Sequence, residues 1–379
     1  MIQEVINARL LGQSGLFHLD ITGGRISGIA PMNGQSKPSD SVADLGGDWL
    51  TLGGVDLQIN GGLGLAIPDL TPEHLPVLKK ISRYLWAQGV DGYVPTIVTA
   101  AVTDIQQSLR VLADYMQAQP TEQSAQVLGA HLEGPCLNYE KRGAHPPEHL
   151  MPLDCAHLQT LLGEYAGIVR IMTLAPELDP TGASIEYLCD RNIIVSLGHS
   201  LATEAEANRA YAQGATMVTH AFNAMPSLHH RRPGLLGAAM INPAVHCGFI
   251  ADGQHVSPTV LKLFLRSCDH PFLVSDALAP LGLPDGTYPW DTRKIIVTNG
   301  TARLDDQTLA GTTHPLLTGV ENLARWGICD PEAAITLATH APRKALGIVD
   351  LGIGQSVSNL LRWTDDANSL KWERLSLHN

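Results

Sequence analysis

Features that the sequence lacks exclude several classes of protein. Its 379 residues contain no apolar run near the roughly 18 residues that a membrane span requires. The N-terminus, MIQEVINARL, has neither the basic segment nor the apolar segment of a secretory signal. The six cysteines show no CxxC spacing, which is typical of reduced thiols buried as small apolar side chains. We therefore expect a cytoplasmic protein without a membrane partner.

Positive charge is also scarce. The chain has 25 Lys and Arg against 37 Asp and Glu, a formal net charge of -12. Proteins that bind nucleic acid or anionic membranes in general need a basic surface, so neither is an expected partner. An anionic substrate would have to be met by a local cluster of cations. Hydrophobic residues make up 44% of the chain, which predicts a globular protein with a large core.

Eight apolar strand candidates alternate with helical segments from about residue 50 onward. This alternation indicates a parallel sheet, and eight is the strand number of a TIM-like (β/α)8 barrel of about 250 residues. The predicted strands end near Asn60, Thr99, Glu133, Leu174, His199, Ala221, Asp252 and Asp276. Apolar residues at three- and four-residue spacing predict helices over residues 72–88, 104–117, 204–213 and 258–266, with further helical stretches near 316–326 and 331–346.

The two ends of the chain have strand and turn composition instead. Residues 16–22 and 25–30 flank Gly23 and Gly24, which predicts a hairpin, and a polar loop follows over residues 33–41. A second hairpin is predicted at Asn299 and Gly300, after the eighth strand. The tail from residue 351 could pair with the first 50 residues. We predict a small β-domain of residues 1–50 and 350–379 beside a barrel of residues 51–349.

Polar residues stand at the predicted carboxyl ends of the strands, which is the catalytic face of such a barrel. Glu133, His199 and His220 would form a His2Glu set that leaves room for water on Zn²⁺, and Fe²⁺ uses similar ligands. This set predicts a hydrolytic metal site, and a buried ion pair of the carboxylate with a histidine is the alternative. The other polar residues at strand ends are Gln58, Asn60, His131 and Asp276. His131 should share a strand face with Glu133 in a supporting role.

Seven motifs together carry a resemblance to a known family. The chain closely resembles the N-acetylglucosamine-6-phosphate deacetylases of the amidohydrolase superfamily, with the motifs in family order over nearly its whole length. The resemblance implies a metal-dependent barrel, a small β-sandwich built from both termini, and removal of acetate from a phosphorylated amino sugar. The motifs are LGGVDLQING (52–61), HLEGP (131–135), KRGAH (141–145), GH (198–199), THAFNAM (219–225), RRPG (231–234) and SD (275–276).

The resemblance also implies a role for each matching residue. Glu133, His199 and His220 would be the metal ligands, Asp276 the catalytic acid and base, and His145 a contact to the acetyl carbonyl. An ordinary solvated loop histidine is the alternative for His145. The implied substrate-binding residues are His145, Asn223, Ala224, Arg231, His255, Leu309, Ala310 and Gly311.

Two further expectations concern the metal and the partner chain. Many members of the superfamily carry an HxH motif on the first strand, where this chain has Gln58 and Asn60. Neutral amides replace imidazole poorly, so we expect one divalent metal per chain, with Zn²⁺ the first candidate and Fe²⁺ or another metal possible. The run from His229 to Arg232 is the densest cationic stretch of the chain. A solvated loop is one interpretation; in the family, Arg231 reaches into the neighbouring subunit's site, which implies a homodimer.

The chemistry of amide hydrolysis agrees with these roles. A metal can lower the pKa of bound water from 15.7 to about 7, Asp276 can take a proton and return it to the leaving amine, and His145 can donate to the oxyanion. We expect conversion of N-acetylglucosamine 6-phosphate to glucosamine 6-phosphate and acetate in amino-sugar catabolism. The alternatives are an amidohydrolase for N-acetylgalactosamine 6-phosphate or a cyclic amide, and an inactive barrel used for binding.

Overall fold

Eight parallel strands form a nearly closed barrel in the computed structural model, which describes residues 2–32, 41–366 and 369–375. Each strand pairs with the next in parallel, and Ala277, beyond the eighth strand, bridges to Ile59 at the end of the first. The predicted α/β barrel is therefore confirmed. Its strands are Gly54–Ile59, Val90–Val98, Ala130–Glu133, Val169–Leu174, Ile194–Leu197, Met217–Val218, His246–Phe249 and Pro271–Leu273.

The barrel strands are apolar on both faces because each lies between two hydrophobic layers. Val55, Ile171 and Phe272 are among the side chains that fill the lower barrel interior. A larger core lies between the outer face of the strands and the helices, with Leu132 and Val195 fully buried there. The six cysteines form no disulfide. Within the described residues, no helix is both long enough and apolar enough to cross a membrane.

The predicted helices are all present, with one break. The stretch predicted near residues 331–346 divides at Thr339, which is the C-cap of one helix and the N-cap of the next. Three short helices, Cys155–Leu162, Ala183–Cys189 and Gly234–Met240, have too few turns for a periodic sequence signal. The other α-helices are Leu75–Ala87, Val102–Ala118, Glu204–Ala212, Pro258–Ser267, Leu316–Arg325, Pro331–Ala338 and His340–Leu346. Short 3-10 helices are Ile67–Asp69, Pro72–His74, Tyr139–Lys141, Pro147–His149, Gly163–Ile168, Pro176–Leu178 and Val357–Asn359.

Both ends of the chain build two antiparallel-rich sheets on a shared core. The first sheet contains Arg25–Pro31, Phe17–Thr22, Glu4–Ala8 and Val42–Asp44, and the second contains Ser369–Arg374, Leu360–Asp366 and Trp49–Leu52. The hairpin predicted at Gly23 and Gly24 is confirmed, and the tail pairs with the N-terminal region as predicted. Leu19 and Leu360 belong to one buried cluster. The loop predicted over residues 33–41 lies outside the described residues except for Ser41, and the domain boundaries stay a prediction.

A buried ion cluster ties the barrel to the C-terminal strand. Asp91 Oδ1 lies 2.8 Å from a guanidinium nitrogen of Arg374, and Asp91 Oδ2 lies 3.4 Å from one of Arg343. Arg343 also donates to the carbonyl of Gly53 at 2.7 Å. Because all three charges are largely removed from water, each depends on the others for its stability.

A four-stranded antiparallel sheet follows the eighth barrel strand and returns to the barrel mouth. Its strands are Gly286–Trp290, Arg293–Thr298, Thr301–Leu304 and Leu309–Thr312. The predicted turn is confirmed, with Asn299 and Gly300 at φ of 51° and 73° as a type I′ hairpin requires. Thr312 N donates to the carbonyl of Asp276 at 2.9 Å, so this sheet is joined to the strand end. Three two-residue strands complete the list for the described residues. Gly61–Gly62 pairs with Leu65–Ala66, and Gln126–Val127 pairs with the second barrel strand.

Candidate active site

Three of the polar residues predicted at strand ends have left-handed backbone. The φ angles are 47° at His199, 25° at His220 and 50° at Asp276. Residues other than glycine rarely adopt this region, and when they do they cluster at functional sites. Each of the three follows its strand by two or three residues, so the sharp turn directs the side chain into the barrel mouth.

A carboxylate and two imidazoles converge at this mouth. Glu133 Oε1 lies 3.2 Å from His199 Nε2 and 3.0 Å from His220 Nε2, and the two nitrogens are 3.1 Å apart. All three side chains are buried. His145 joins the cluster, because its Nε2 lies 4.0 Å from Glu133 Oε2. Within the described residues, Glu133, His145 and His199 also offer ligand atoms that lie within 4.8 Å of one another.

Hydrogen bonds to the backbone distinguish the roles of two of these histidines. His199 Nδ1 lies 2.8 Å from the carbonyl oxygen of Lys141, which can only accept, so Nδ1 carries the proton and Nε2 has a free lone pair. The amide N–H of Thr99 points at His145 Nδ1 over 3.3 Å and can only donate, so the proton of that ring lies on Nε2. In these neutral forms Nε2 of His199 can bind a cation, whereas Nε2 of His145 can donate a hydrogen bond.

The charges of the cluster depend on one another. Burial would raise the pKa of Glu133, but its contacts with His199 and His220 outweigh burial and hold the pKa well below its usual value. Burial would lower the pKa of His220, yet the adjacent Glu133 raises it. Burial, followed by the charge of His199, lowers the pKa of His145 to about 3, so this imidazole is neutral.

Asp276 faces the cluster and is held by two amides. Asn60 Nδ2 donates to Asp276 Oδ1 at 2.7 Å, and Gln58 Nε2 donates to the same oxygen at 3.2 Å. Gln58 Nε2 also donates to Glu133 Oε1 at 2.9 Å, so one amide bridges the two carboxylates. Burial first, and then the charge of Glu133, raises the pKa of Asp276 to about 6. Gln58 and Asn60 thus supply hydrogen-bond donors at the two positions where an HxH motif would place imidazole ligands for a second metal.

His131 lies on the interior face of its strand and takes part in a separate network. Its Nδ1 lies 3.1 Å from Thr96 Oγ1, and its Nε2 lies 2.7 Å from Thr173 Oγ1. Thr173 continues to Thr219 at 2.6 Å. Burial lowers the pKa of His131 to about 4, so the ring is neutral and serves as a buried connector within the barrel.

The cluster opens into a cavity of about 880 Å³ at the mouth of the barrel. Of the residues predicted for the site, Arg231 is exposed and does not line it, and Gly311 packs behind Asp276. Among the described residues, no lysine or arginine lines the cavity, whereas Asp69, Asp104 and Asp291 do. The predicted residues that line it are Glu133, His145, His199, His220, Asn223, Ala224, His255, Asp276, Leu309 and Ala310.

Several residues of the site were not among those predicted, including Trp290, Asp252 and Thr99. Trp290 contributes an apolar wall from the sheet that follows the barrel. Asp252 Oδ2 lies 2.7 Å from His255 Nδ1 and orients that ring in the cavity wall. Thr99 contacts His145, as described above. Thr99 and Asp252 were predicted as ends of strands, and their polar side chains at that position were a signal for the site.

The donor set fits a divalent metal ion. Atoms bound at about 2.0–2.1 Å around a tetrahedral zinc lie roughly 3.3 Å apart, and the three closest ligand atoms here are separated by 3.0, 3.1 and 3.2 Å. The Nδ1–H of His199 donates to the backbone carbonyl of Lys141, and metal-bound histidines almost always use their second ring nitrogen in this way. Two neutral imidazoles and a carboxylate match the three-ligand sites of catalytic zinc.

Comparisons with known proteins give a consistent result. No protein-family model matches the chain. It is 35% identical over 359 residues to N-acetylglucosamine-6-phosphate deacetylase of Bos taurus, covering 91% of this chain and 87% of that one. It is 33% identical over 344 residues to N-acetylgalactosamine-6-phosphate deacetylase of Escherichia coli O157:H7, covering 90% and 88%. The crystal structure of N-acetylglucosamine-6-phosphate deacetylase from Pasteurella multocida superposes with a TM-score of 0.84 at 27% identity, covering 99% of this chain and 100% of that one.

Three observations indicate the same family. They are the polar cluster at the barrel mouth, the two sheets built from both ends of the chain, and the sequence identity over about nine tenths of its length. The chain belongs to the N-acetylglucosamine-6-phosphate deacetylase family of the divalent-metal-dependent amidohydrolase superfamily.

Proposed function

We propose that this chain hydrolyses N-acetylglucosamine 6-phosphate to glucosamine 6-phosphate and acetate, in amino-sugar catabolism or recycling. The observation that carries the proposal is the convergence of Glu133, His199 and His220 opposite the buried Asp276, in a cavity large enough for a sugar phosphate. Relatives named for this reaction match the chain over about nine tenths of its length.

Glu133, His199 and His220 are the proposed ligands of one divalent metal per chain, with Zn²⁺ the first candidate and Fe²⁺ or another divalent metal as alternatives. The bound cation supplies positive charge that polarises the amide carbonyl and makes water a stronger acid. His145 is left out of the proposed ligand set, because the N–H of Thr99 favours a proton on its Nε2. Gln58 and Asn60 stay outside the ligand set, because their amide groups donate to the carboxylates.

Asp276 is the proposed proton carrier of the reaction. Both amide donors bind its Oδ1, and within the described residues its Oδ2 accepts no hydrogen bond. That oxygen can therefore accept a proton from the attacking water and later deliver it to the leaving nitrogen. The raised pKa of Asp276, about 6, suits both transfers near neutral pH, because the group is basic enough to accept the proton and acidic enough to release it.

His145 is the proposed donor to the acetyl oxygen. Its neutral ring directs Nε2–H toward the cluster, so the hydrogen bond strengthens as negative charge grows on that oxygen. The remaining proposed contacts to the sugar are Asn223, Ala224, His255, Leu309 and Ala310, which line the cavity, with Gly311 supporting Asp276 from behind.

A bound phosphate calls for a cationic partner, and no lysine or arginine among the described residues lines this cavity. Its described walls carry carboxylates, and Arg231 is exposed outside it. We infer that Arg231 of a second copy completes the site, since an arginine fork matches phosphate geometry. The proposed assembly is a homodimer, and the exposed Leu228 near Arg231 suits a surface that a second copy covers.

Acetate release from four compounds tests the function: N-acetylglucosamine 6-phosphate, N-acetylgalactosamine 6-phosphate, N-acetylglucosamine and a cyclic amide. Metal content is measured on the same sample. The highest kcat/KM on the first compound supports the proposal. The highest kcat/KM on N-acetylgalactosamine 6-phosphate would instead identify that compound as the substrate. It is the second candidate because a relative at 33% identity is named for it. No hydrolysis of any compound by fully metallated protein would overturn the assignment. The cytoplasmic location stays a prediction from the sequence.

A further inference from the structure

Thr99 contacts His145 through two different groups. It follows the second barrel strand, Val90–Val98, and is 2% exposed. Its hydroxyl oxygen lies 2.9 Å from His145 Nδ1, and its backbone N–H donates to the same nitrogen at 3.3 Å. The hydroxyl also lies 3.3 Å from the carbonyl oxygen of Glu133. Thr99 therefore connects the strand that carries Glu133 with the loop that carries His145.

The backbone N–H of Thr99 favours one neutral form of the His145 ring. A proton on Nδ1 would face the N–H of Thr99, so that two hydrogens would oppose each other. The same form would leave Nε2 as an acceptor, 4.0 Å from Glu133 Oε2, which is also an acceptor. With the proton on Nε2, Nδ1 accepts from Thr99 and Nε2–H is directed toward the cluster. Thr99 thereby favours the form in which His145 can donate to a substrate.

We propose that Thr99 is a positioning residue that fixes the tautomer and the ring orientation of His145. Its role in turnover rests on the proposed function, in which His145 donates to the acetyl oxygen. The glycine after Glu133 supports this placement, because any Cβ at Gly134 would collide with the Thr99 hydroxyl. Thr99 itself does not touch the reacting atoms, and its effect passes through His145.

Kinetics of Thr99→Val and Thr99→Ser test the proposal. Valine keeps the shape and loses the hydroxyl, whereas serine keeps the hydroxyl. We expect the valine variant to lower kcat about tenfold with little change in KM or metal content. A tenfold loss corresponds to about 1.4 kcal/mol, which is the usual contribution of one hydrogen bond. The serine variant should stay within about threefold of the parent. Equal losses in both variants, or a kcat of the valine variant near that of the parent, would overturn the proposal.

A double-mutant cycle separates positioning from a general structural effect. Adding Thr99→Val to His145→Ala should cost no further activity, because the residue through which Thr99 acts is already absent. A full additional tenfold loss would show that Thr99 acts by another route.

The tautomer can be measured without turnover, by two-bond ¹H–¹⁵N correlation spectra of protein labelled in histidine. The parent should show His145 with a bare Nδ1 and a protonated Nε2. Thr99→Val keeps the backbone N–H and should keep this tautomer, but its His145 ring signals should shift because the hydroxyl that holds the ring is lost. A protonated Nδ1 in the parent, or ring signals unchanged by the substitution, would refute the proposal. If no N-acetyl sugar phosphate is hydrolysed, the proposed function fails while these spectra still decide the tautomer.

Discussion

Replacing Asp276 by asparagine should separate proton transfer from structure. Asp276 Oδ1 accepts from Asn60 at 2.7 Å and from Gln58 at 3.2 Å, and an amide oxygen can accept both bonds. Asparagine also tolerates the φ of 50° at this position better than most residues. The variant should therefore fold normally, keep Glu133 in place and bind the metal.

The expected loss of activity follows from the role of the second oxygen. In Asp276→Asn an NH2 group replaces Oδ2, and this group can neither accept the proton nor return it. Loss of general acid and base catalysis typically costs about 10² to 10⁴ in rate, which corresponds to about 2.7 to 5.4 kcal/mol of activation free energy. We expect the upper part of this range, since the same carboxyl serves both the attack and the departure of the amine.

The assay measures acetate release, metal content and the melting temperature of the same preparations. Asp69→Asn is the matched control, because Asp69 lines the same cavity and the substitution removes the same charge. The control should retain most of the parent's turnover. An Asp276→Asn protein with normal metal content and turnover within about threefold of the parent would refute the assignment.

Four further variants test other parts of the molecule. Arg231→Ala should lower kcat/KM for the phosphorylated sugar at least about tenfold and hardly change the slow turnover of N-acetylglucosamine, and equal losses on both would indicate a structural role. Gly311→Ala should reduce turnover, since φ is +148° and the new Cβ would lie 2.6 Å from the carbonyl oxygen of Asp276; an unchanged kcat contradicts this. Asp91→Ala leaves two buried arginines without their carboxylate, so chemical denaturation should show a loss of about 3–5 kcal/mol in the free energy of unfolding, and a loss below about 1 kcal/mol would contradict the pairing. Burial raises the pKa of Asp56 to about 7. The folded protein then holds this proton more tightly than the unfolded chain, so the free energy of unfolding falls by up to roughly 4 kcal/mol as pH rises from about 4 to about 7. Asp56→Asn should remove that part of the pH dependence in denaturation at pH 5 and pH 8, and an identical dependence in both proteins would refute it.

Several parts of the fold and site could be predicted because their signals are local in the sequence. A barrel strand that is buried on both faces appears in the sequence as a run of apolar residues. A polar residue directly after such a run lies at the catalytic face of the barrel, and this holds independently of the rest of the sequence. Glu133, His199, His220 and Asp276 were placed together on this basis. The turn at Asn299 and Gly300 was predictable because its positive φ angles restrict the residue types that fit.

Other features depended on contacts between distant residues. The amide of Gln58 lies 218 positions from Asp276, and Lys141, which orients His199, lies 58 positions away from it. The proposed distinction between His145 as donor and His199 as ligand rests on whether each Nδ1 meets an N–H or a carbonyl oxygen. The strand ends and the order of the polar residues were thus determined by the sequence itself. The proton positions, the amide bridge and a cavity without lysine or arginine in its described walls were decided only by the tertiary structure, because each depends on which distant groups the closed barrel brings within hydrogen-bond distance.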